Sequence, residues 1–144
     1  MIVGSVNLSS SSSIWYSSTL RGDVQPIKVG QNTLLQDLVT VLPKKNATHI
    51  GSNVVVAPNS FLEGCQIEDG AFIGMGCTVR EGAKVEKWGV VAAGAVVGEK
   101  QVVPSNQVNK EEEGAGETNL QISFLIEKYG YAYFNSLIFF RFYF

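Results

Sequence analysis

The chain has 144 residues, 17% of them charged, and a formal net charge of −2 at pH 7. This length is typical of a single domain, and the charge balance offers no basic surface of the kind that nucleic-acid binding requires. Two cysteines are too few for a disulfide scaffold, and we expect two reduced thiols rather than a metal site.

The first part of the chain carries aliphatic residues at intervals of six. They are Ile2, Leu8, Ile14 and Leu20, then, after a slip of three, Val29, Leu35 and Val41, and, after a second slip through residues 43–46, Ile50, Val56 and Leu62. We expect each slip to form a loop at an edge of the fold, where sites and interfaces are commonly built. The N-terminal residues resemble neither a secretory signal nor a transit segment, so either a presequence is missing from this chain or import needs none.

The clearest repeat runs from Ile67 to Val103. Its aliphatic positions are Ile67, Ile73, Val79, Val85, Val91, Val97 and Val103. Four glycines each lie three residues after one of these positions: Gly70, Gly76, Gly82 and Gly94. A sustained period of six fits neither a helix nor a flat strand, and it is typical of a hexapeptide β-helix. Because three hexads complete one turn, residues eighteen apart should stack, and the glycines should supply the positive φ of tight corners.

The repeat ends near Pro104, and the composition then changes. We assign residues 1–108 to a β-helix domain, 109–119 to a charged linker and 120–144 to a hydrophobic, aromatic-rich tail outside the repeat, which could be helical. The uninterrupted apolar part of the tail is shorter than the ~20 residues of a membrane-spanning helix. We expect a hydrophobic contact surface; a helix packed on a partner, a membrane-surface anchor and a product of a mis-spliced or truncated gene are the alternatives.

Several short strings resemble the gamma-class carbonic anhydrase family. They are SIWY at 13–16, RGD at 21–23, QD at 36–37, LEGC at 62–65 and FIGMG at 72–76. The hexads alone are shared with many acyltransferases, whereas the combination of RGD, QD and IGMG (residues 73–76) is specific. The resemblance covers residues 2 to about 108. It implies a left-handed parallel β-helix assembled as a trimer, with zinc or iron at each subunit interface, where a metal-bound hydroxide attacks carbon dioxide.

That chemistry needs three histidines, because neutral imidazoles hold the metal and leave a position open for water. In this sequence the family's ligand positions fall on Leu42, Pro58 and Glu63, with Thr40 in place of Leu42 in a gapped alignment. None of them is His. We therefore expect no catalytic residue, no resident metal and no cofactor, with zinc bound only if a paralogue supplies the histidines.

Four neighbours of that site persist as remnants: Arg21, Asp23, Gln36 and Asp37. One interpretation is structural, namely a buried charge pair and corner hydrogen bonds that hold the trimer. The other is functional, with the remnants completing a composite site whose histidines come from a paralogue.

The single histidine, His49, lies off the ligand positions. It could be the general base of a hexapeptide acyltransferase, but no acidic residue is placed to orient it and no coenzyme A feature is recognisable. We interpret it as a solvated loop residue. Trp15, Tyr16 and Trp88 are interpreted as contacts at an edge or a trimer face, because aromatic residues are enriched at interfaces.

The resemblance thus implies a structural and assembly subunit rather than an enzyme. It points to the mitochondrial branch of the family, in which such chains form a homo- or hetero-trimer with gamma carbonic anhydrase paralogues. The trimer is attached to the membrane arm of respiratory complex I, on the matrix side of the inner membrane. The alternative is an enzyme, either a composite-site carbonic anhydrase or an acyltransferase, and nucleic acid is not an expected partner.

Overall fold

A computed structural model of the protein describes residues 1–109 and the strand Asn119–Gln121. Most of the predicted linker and tail, residues 110–118 and 122–144, lies outside the described residues. The part of the chain that is described contains strands, turns and bends but no helix. Consequently it has no helix of the length and apolar character needed to cross a membrane.

Short strands alternate with corners along the whole described chain. The strands are β1 (Ile2–Leu8), β2 (Ser13–Ile14), β3 (Thr19–Val29), β4 (Leu34–Leu35), β5 (Thr40–Val41), β6 (Thr48–Ile50), β7 (Val55–Val56), β8 (Phe61–Leu62), β9 (Gln66–Ile67), β10 (Phe72–Ile73), β11 (Thr78–Val79), β12 (Lys84–Val85), β13 (Val90–Val91), β14 (Val96–Val97), β15 (Val102–Val103), β16 (Gln107–Asn109) and β17 (Asn119–Gln121). Every pairing among the described strands is parallel except that of β17, which runs antiparallel to β16. The predicted all-β solenoid is confirmed.

The strands stack into three faces of a prism. Face 1 contains the start of β3, then β5, β8, β11 and β14; face 2 contains the end of β3, then β6, β9, β12 and β15; face 3 contains β2, β4, β7, β10, β13 and β16. The predicted stacking is confirmed, because Val85 pairs with both Ile67 and Val103, eighteen residues away on either side.

The aliphatic ladder points inward and forms the core from Leu20 onward, whereas Ile2 and Leu8 on the first turn are 52% and 41% exposed. Leu20, Leu35, Leu62 and Ile73 are fully buried, as are the valines at the same phase of the repeat. Each fully buried side chain of this kind contributes roughly 1.5–3 kcal/mol. A second, mostly smaller residue two positions earlier in the hexad, such as Ala71 or Ala83, completes the core.

The corners use left-handed backbone where the sequence places glycine. Gly70, Gly76, Gly82 and Gly94 have φ between +66° and +73°, as predicted. Trp88 and Lys100 occupy the same phase with φ of +59° and +58°. This conformation costs a residue with a Cβ about 1–2 kcal/mol, so these two corners are strained.

The two slips of the repeat behave differently. The second forms the predicted loop, between β5 and β6. The first was predicted to be a loop as well, and this is wrong, because it lies inside the eleven-residue strand β3. Gly4 pairs with Gly22 and Val6 pairs with Ile27, so a bulge in the β1–β3 ladder absorbs the extra residues.

Candidate functional site

The first feature of interest is the corner at which face 1 turns into face 2, here called the charged corner. Leu42 follows β5 and Glu63 follows β8, and these two strands pair in register, so the two residues lie side by side on adjacent turns. Arg80 follows β11 and lies beside Glu63 on the next turn. Two of the three degenerate ligand positions are thus brought together.

The third position, Pro58, lies elsewhere. It follows β7, at the corner where face 3 turns into face 1, so it belongs to a different edge of the prism from Leu42 and Glu63. Leu42 and Pro58 have no side-chain donor atoms for a metal. Among the described residues no group of three His, Cys, Asp or Glu side chains could hold a metal ion. These residues do not fit a catalytic zinc or iron.

Glu63, the one carboxylate at a ligand position, is already engaged. It forms an ion pair with Lys44 from the loop that follows Leu42. The side chain of Glu63 is 15% exposed and that of Lys44 is 64% exposed. The hydrogen bond from Lys44 to Glu63 raises the pKa of the Lys44 ammonium.

Glu81 belongs to the same corner, although it was not among the candidate residues predicted from the sequence. Its Oε1 accepts hydrogen bonds from the backbone N–H groups of Lys45 and Asn46, at 2.9 and 2.5 Å. The residue is 9% exposed, and its Oε2 has no hydrogen-bond partner among the described residues. The carboxylate lies against Gly64, where a Cβ would overlap it. In the sequence, Glu81 is a polar corner residue followed by Gly82, and this pattern occurs at other corners too, so it does not distinguish Glu81.

The remnant residues form part of the expected network. Arg21 donates to Asp23 Oδ2 over 2.5 Å, and this hydrogen bond lowers the pKa of the Asp23 carboxyl. The two side chains are 46% and 34% exposed in the single chain. The predicted burial of this pair concerns the trimer and stays a prediction. Both residues lie on the outside of β3, where no other described strand covers them.

Gln36 and Asp37 lie at the corner between face 3 and face 1. The backbone carbonyl of Gln36 accepts a hydrogen bond of 2.7 Å from the Ser18 hydroxyl, and Asp37 Oδ1 accepts one of 3.0 Å from the backbone N–H of Tyr16. These corner hydrogen bonds join consecutive turns of one chain. The interpretation that the remnants hold a trimer stays a prediction.

His49 lies in strand β6 and not in a loop, so the predicted local structure is wrong; its side chain is exposed, as expected. It borders an open cleft of about 250 Å³ that is also lined by Glu68, Asp69 and Lys87. Both acidic groups are engaged elsewhere. Glu68 pairs with Lys84 at 2.9 Å and Asp69 accepts from the Ser52 N–H at 2.8 Å. Within the described part of the chain, neither is bonded to His49 to orient it as a base.

A second feature, here called the apolar corner, lies where face 3 turns into face 1. Trp15, Tyr16 and Leu38 are 47%, 86% and 55% exposed there. Leu38 has a φ of +59° in a column whose other members are Ser17, Asn59, Gly76 and Gly94. Ser, Asn and Gly suit this conformation far better than Leu. An exposed, strained leucine gains little from its own chain.

The two cysteines are free and buried, as expected for thiols outside a disulfide. Cys65 and Cys77 are each 1% exposed. Burial raises the pKa of each thiol to about 12. The Sγ of Cys77 donates to the Ala92 carbonyl at 2.9 Å. Both thiols are therefore neutral and inert core residues.

The family described as "Bacterial transferase hexapeptide (six repeats)" matches residues 64–99. Among solved structures, a hexapeptide transferase family protein from Anaplasma phagocytophilum is 31% identical, with a TM-score of 0.76 over 88% of this chain and 77% of that one. The chain belongs to the hexapeptide-repeat family.

Within that family, the curated relatives confirm the resemblance to gamma carbonic anhydrases. Gamma carbonic anhydrase 2, mitochondrial, from Arabidopsis thaliana is 44% identical over 82 residues, which are 52% of this chain and 30% of that protein. A probable carbonic anhydrase from Methanocaldococcus jannaschii is 38% identical over 76 residues, 52% of this chain and 48% of that protein. The match thus spans less than half the length of these relatives.

Proposed function

We propose that this chain is a catalytically silent, gamma carbonic anhydrase-like subunit with a structural role. It works in a homo- or hetero-trimer with gamma carbonic anhydrase paralogues, attached to the membrane arm of mitochondrial respiratory complex I on the matrix side of the inner membrane. The mitochondrial part of the proposal is supported by the names of the Arabidopsis relatives. The trimer and complex I parts rest on the family resemblance.

The observation that carries the proposal is the chemistry of the three ligand positions. Leu42 and Pro58 offer a metal no donor atom, and Glu63 already pairs with Lys44. A catalytic zinc needs three protein ligands and an open position. This chain can supply at most one of the three.

The three ligand positions lie at two different corners, so the same shortage of metal ligands applies to mixed trimers. A site between subunits would take Leu42 and Glu63 from one protomer and Pro58 from its neighbour, because they lie on different edges of the prism. A paralogue facing Glu63 would add one histidine, and a paralogue facing Pro58 would add two. Either interface would have two ligands and not three, which argues against a composite site.

The apolar corner supports association with other chains. Leu38 adopts a strained left-handed backbone and leaves more than half of its side chain exposed. Aromatic and large apolar residues concentrate in the cores of protein interfaces. Together with Trp15 and Tyr16, this residue gives the edge that carries Pro58 an apolar surface suited to a neighbouring protomer.

The test is native mass spectrometry of the trimer isolated from its source, together with counts of bound zinc, iron or cobalt. Trimers with two or three copies of this chain should contain no metal. Trimers with one copy should contain at most one metal, at the interface between the two paralogues. Metal in a trimer with two copies, or more than one metal beside a single copy, would contradict the proposal and favour the composite-site enzyme.

The acyltransferase alternative is tested with the wild-type chain and site-directed variants. Transfer of an acetyl group from acetyl coenzyme A that disappears in His49→Ala would overturn the structural assignment. Glu63→Ala serves as the matched control, because it changes the charged corner and leaves the cleft beside His49 intact.

A further inference from the structure

The charged corner contains a cation even though it cannot hold a metal. Glu63 is largely buried, and a buried carboxylate without a counter-charge is costly. Lys44 supplies that charge from the loop between β5 and β6. Its side chain is long and 64% exposed, and such pairs are usually weak because two flexible side chains must be held in one arrangement.

The loop between β5 and β6 is held in place by a residue that lies two turns further along the solenoid. Glu81 follows β11, and its carboxylate reaches across Gly64 to accept the N–H groups of Lys45 and Asn46. These are the two residues directly after Lys44, so fixing them fixes the backbone from which the Lys44 side chain starts. Hydrogen bonds accepted by a carboxylate are among the stronger ones in proteins.

We propose that the Lys44 ammonium takes the place of the family's metal ion beside Glu63, and that Glu81 is the positioning residue that holds Lys44 there through the loop backbone. Gly64 is part of the arrangement, because any side chain at that position would occupy the path of the Glu81 carboxylate. An ion entering the corner would meet the Lys44 ammonium as well as the carboxylates of Glu63 and Glu81, and Glu81 already accepts two backbone N–H groups.

The inference concerns contacts within one chain, and it is tested separately from the metal counts of the trimer. Lys44→Ala and Glu63→Gln are made singly and together, in the wild type and in Glu81→Gln, which keeps the size of the side chain and removes its charge. In the wild-type background, the loss of Tm in the double variant should be smaller than the sum of the single losses. In the Glu81→Gln background, the losses should add.

Two further measurements guard against variants that fold poorly. Glu81→Asp keeps the charge but is too short to cross Gly64, so it should also make the losses additive. Amide hydrogen exchange at Lys45 and Asn46 should become about tenfold faster or more in both Glu81 variants, since a protecting hydrogen bond is removed. Lys45→Ala is the matched control, because it changes a neighbouring charge and preserves the backbone N–H that Glu81 accepts.

The outcomes separate the two parts of the inference. Additive losses in the wild-type background would show that Lys44 and Glu63 do not act as a pair. A non-additive result that survives Glu81→Gln and Glu81→Asp, or unchanged exchange at Lys45 and Asn46, would show that Glu81 does not position the loop. Either result overturns the corresponding part, and the silent-subunit proposal is unaffected by both.

Discussion

The carboxylate of Glu81 lies directly against the Cα of Gly64, in the volume that a Cβ would fill. Gly64 also has a positive φ of +48°. The glycine is therefore required twice, once for its backbone conformation and once for the buried carboxylate that crosses it.

Gly64→Ala should be much more destabilising than the same change at another corner. The matched control is Gly94→Ala, since Gly94 has a φ of +73° and a Cβ there would meet nothing within 4 Å. We expect the control to lose about 1–2 kcal/mol of unfolding free energy through backbone strain. Gly64→Ala should lose about 1–3 kcal/mol more through overpacking. Urea denaturation measures both, and equal losses would mean that the Glu81 carboxylate moves aside freely.

Leu38→Asn should weaken self-association without harming the fold. Asn tolerates the left-handed backbone of Leu38, whose φ is +59°, so the unfolding free energy should stay the same or rise by up to about 1 kcal/mol. Sedimentation velocity should show a shift towards monomer. Val24→Asn is the control, an exposed apolar residue (62%) away from the apolar corner. Unchanged association of Leu38→Asn would remove this corner from the interface.

The buried thiols should make the protein sensitive to alkaline pH. In the unfolded chain a thiol ionises near 9.0, whereas in the folded protein the pKa is about 12 for Cys65 and Cys77. The folded state then binds more protons, so stability falls as pH rises. The contribution is fully present below pH 9 and is lost progressively between about 9 and 12. A Cys65→Ala and Cys77→Ala variant, followed by urea denaturation across this range, should lose stability less steeply than the wild type.

Thiol reactivity provides a companion measurement to the alkaline titration. At pH 8 a thiol reagent should modify neither cysteine of the folded protein and both after unfolding, because only the thiolate reacts. Fast modification of either residue in the folded protein would contradict the burial of these side chains.

The inward and outward positions of one strand pair should respond differently to truncation. Val85 is fully buried, whereas Val102, on the paired strand β15, is 47% exposed. Val85→Ala removes two buried methyl groups and should cost about 2 kcal/mol of unfolding free energy. Val102→Ala should cost less than about 1 kcal/mol. Similar losses would mean that the inward ladder does not dominate stability.

The sequence predicted the ladder well because its period is a direct consequence of the prism. One aliphatic residue must face inward per hexad, so the positions of Ile67, Val85 and Val103 could be assigned without a structure, as could the positive φ of the corner glycines. The six-residue spacing alone is enough to assign these positions.

What could not be predicted depends on contacts between turns. Glu81 is one polar corner residue among many, and its role arises only because the loop 35 and 36 residues earlier passes above it. The first slip could not be distinguished from the second, since extra residues in a solenoid can leave as a loop or remain in the strand as a bulge. The end of the second loop could not be predicted either: His49 was predicted to lie in it, but β6 begins at Thr48.

Strand β3 belongs to two faces at once, and β1 pairs along both of its halves. In most solenoids each turn contacts only its neighbours, so the end can fray one short strand at a time. Here β1 pairs with β3 on both faces, and the bulge between Gly4 and Val6 lies where the two strands turn around an edge. Because the same strand pairs on both faces, loss of pairing on one face destabilises the pairing on the other. The N-terminal turn should therefore unfold as one cooperative unit and not one strand at a time.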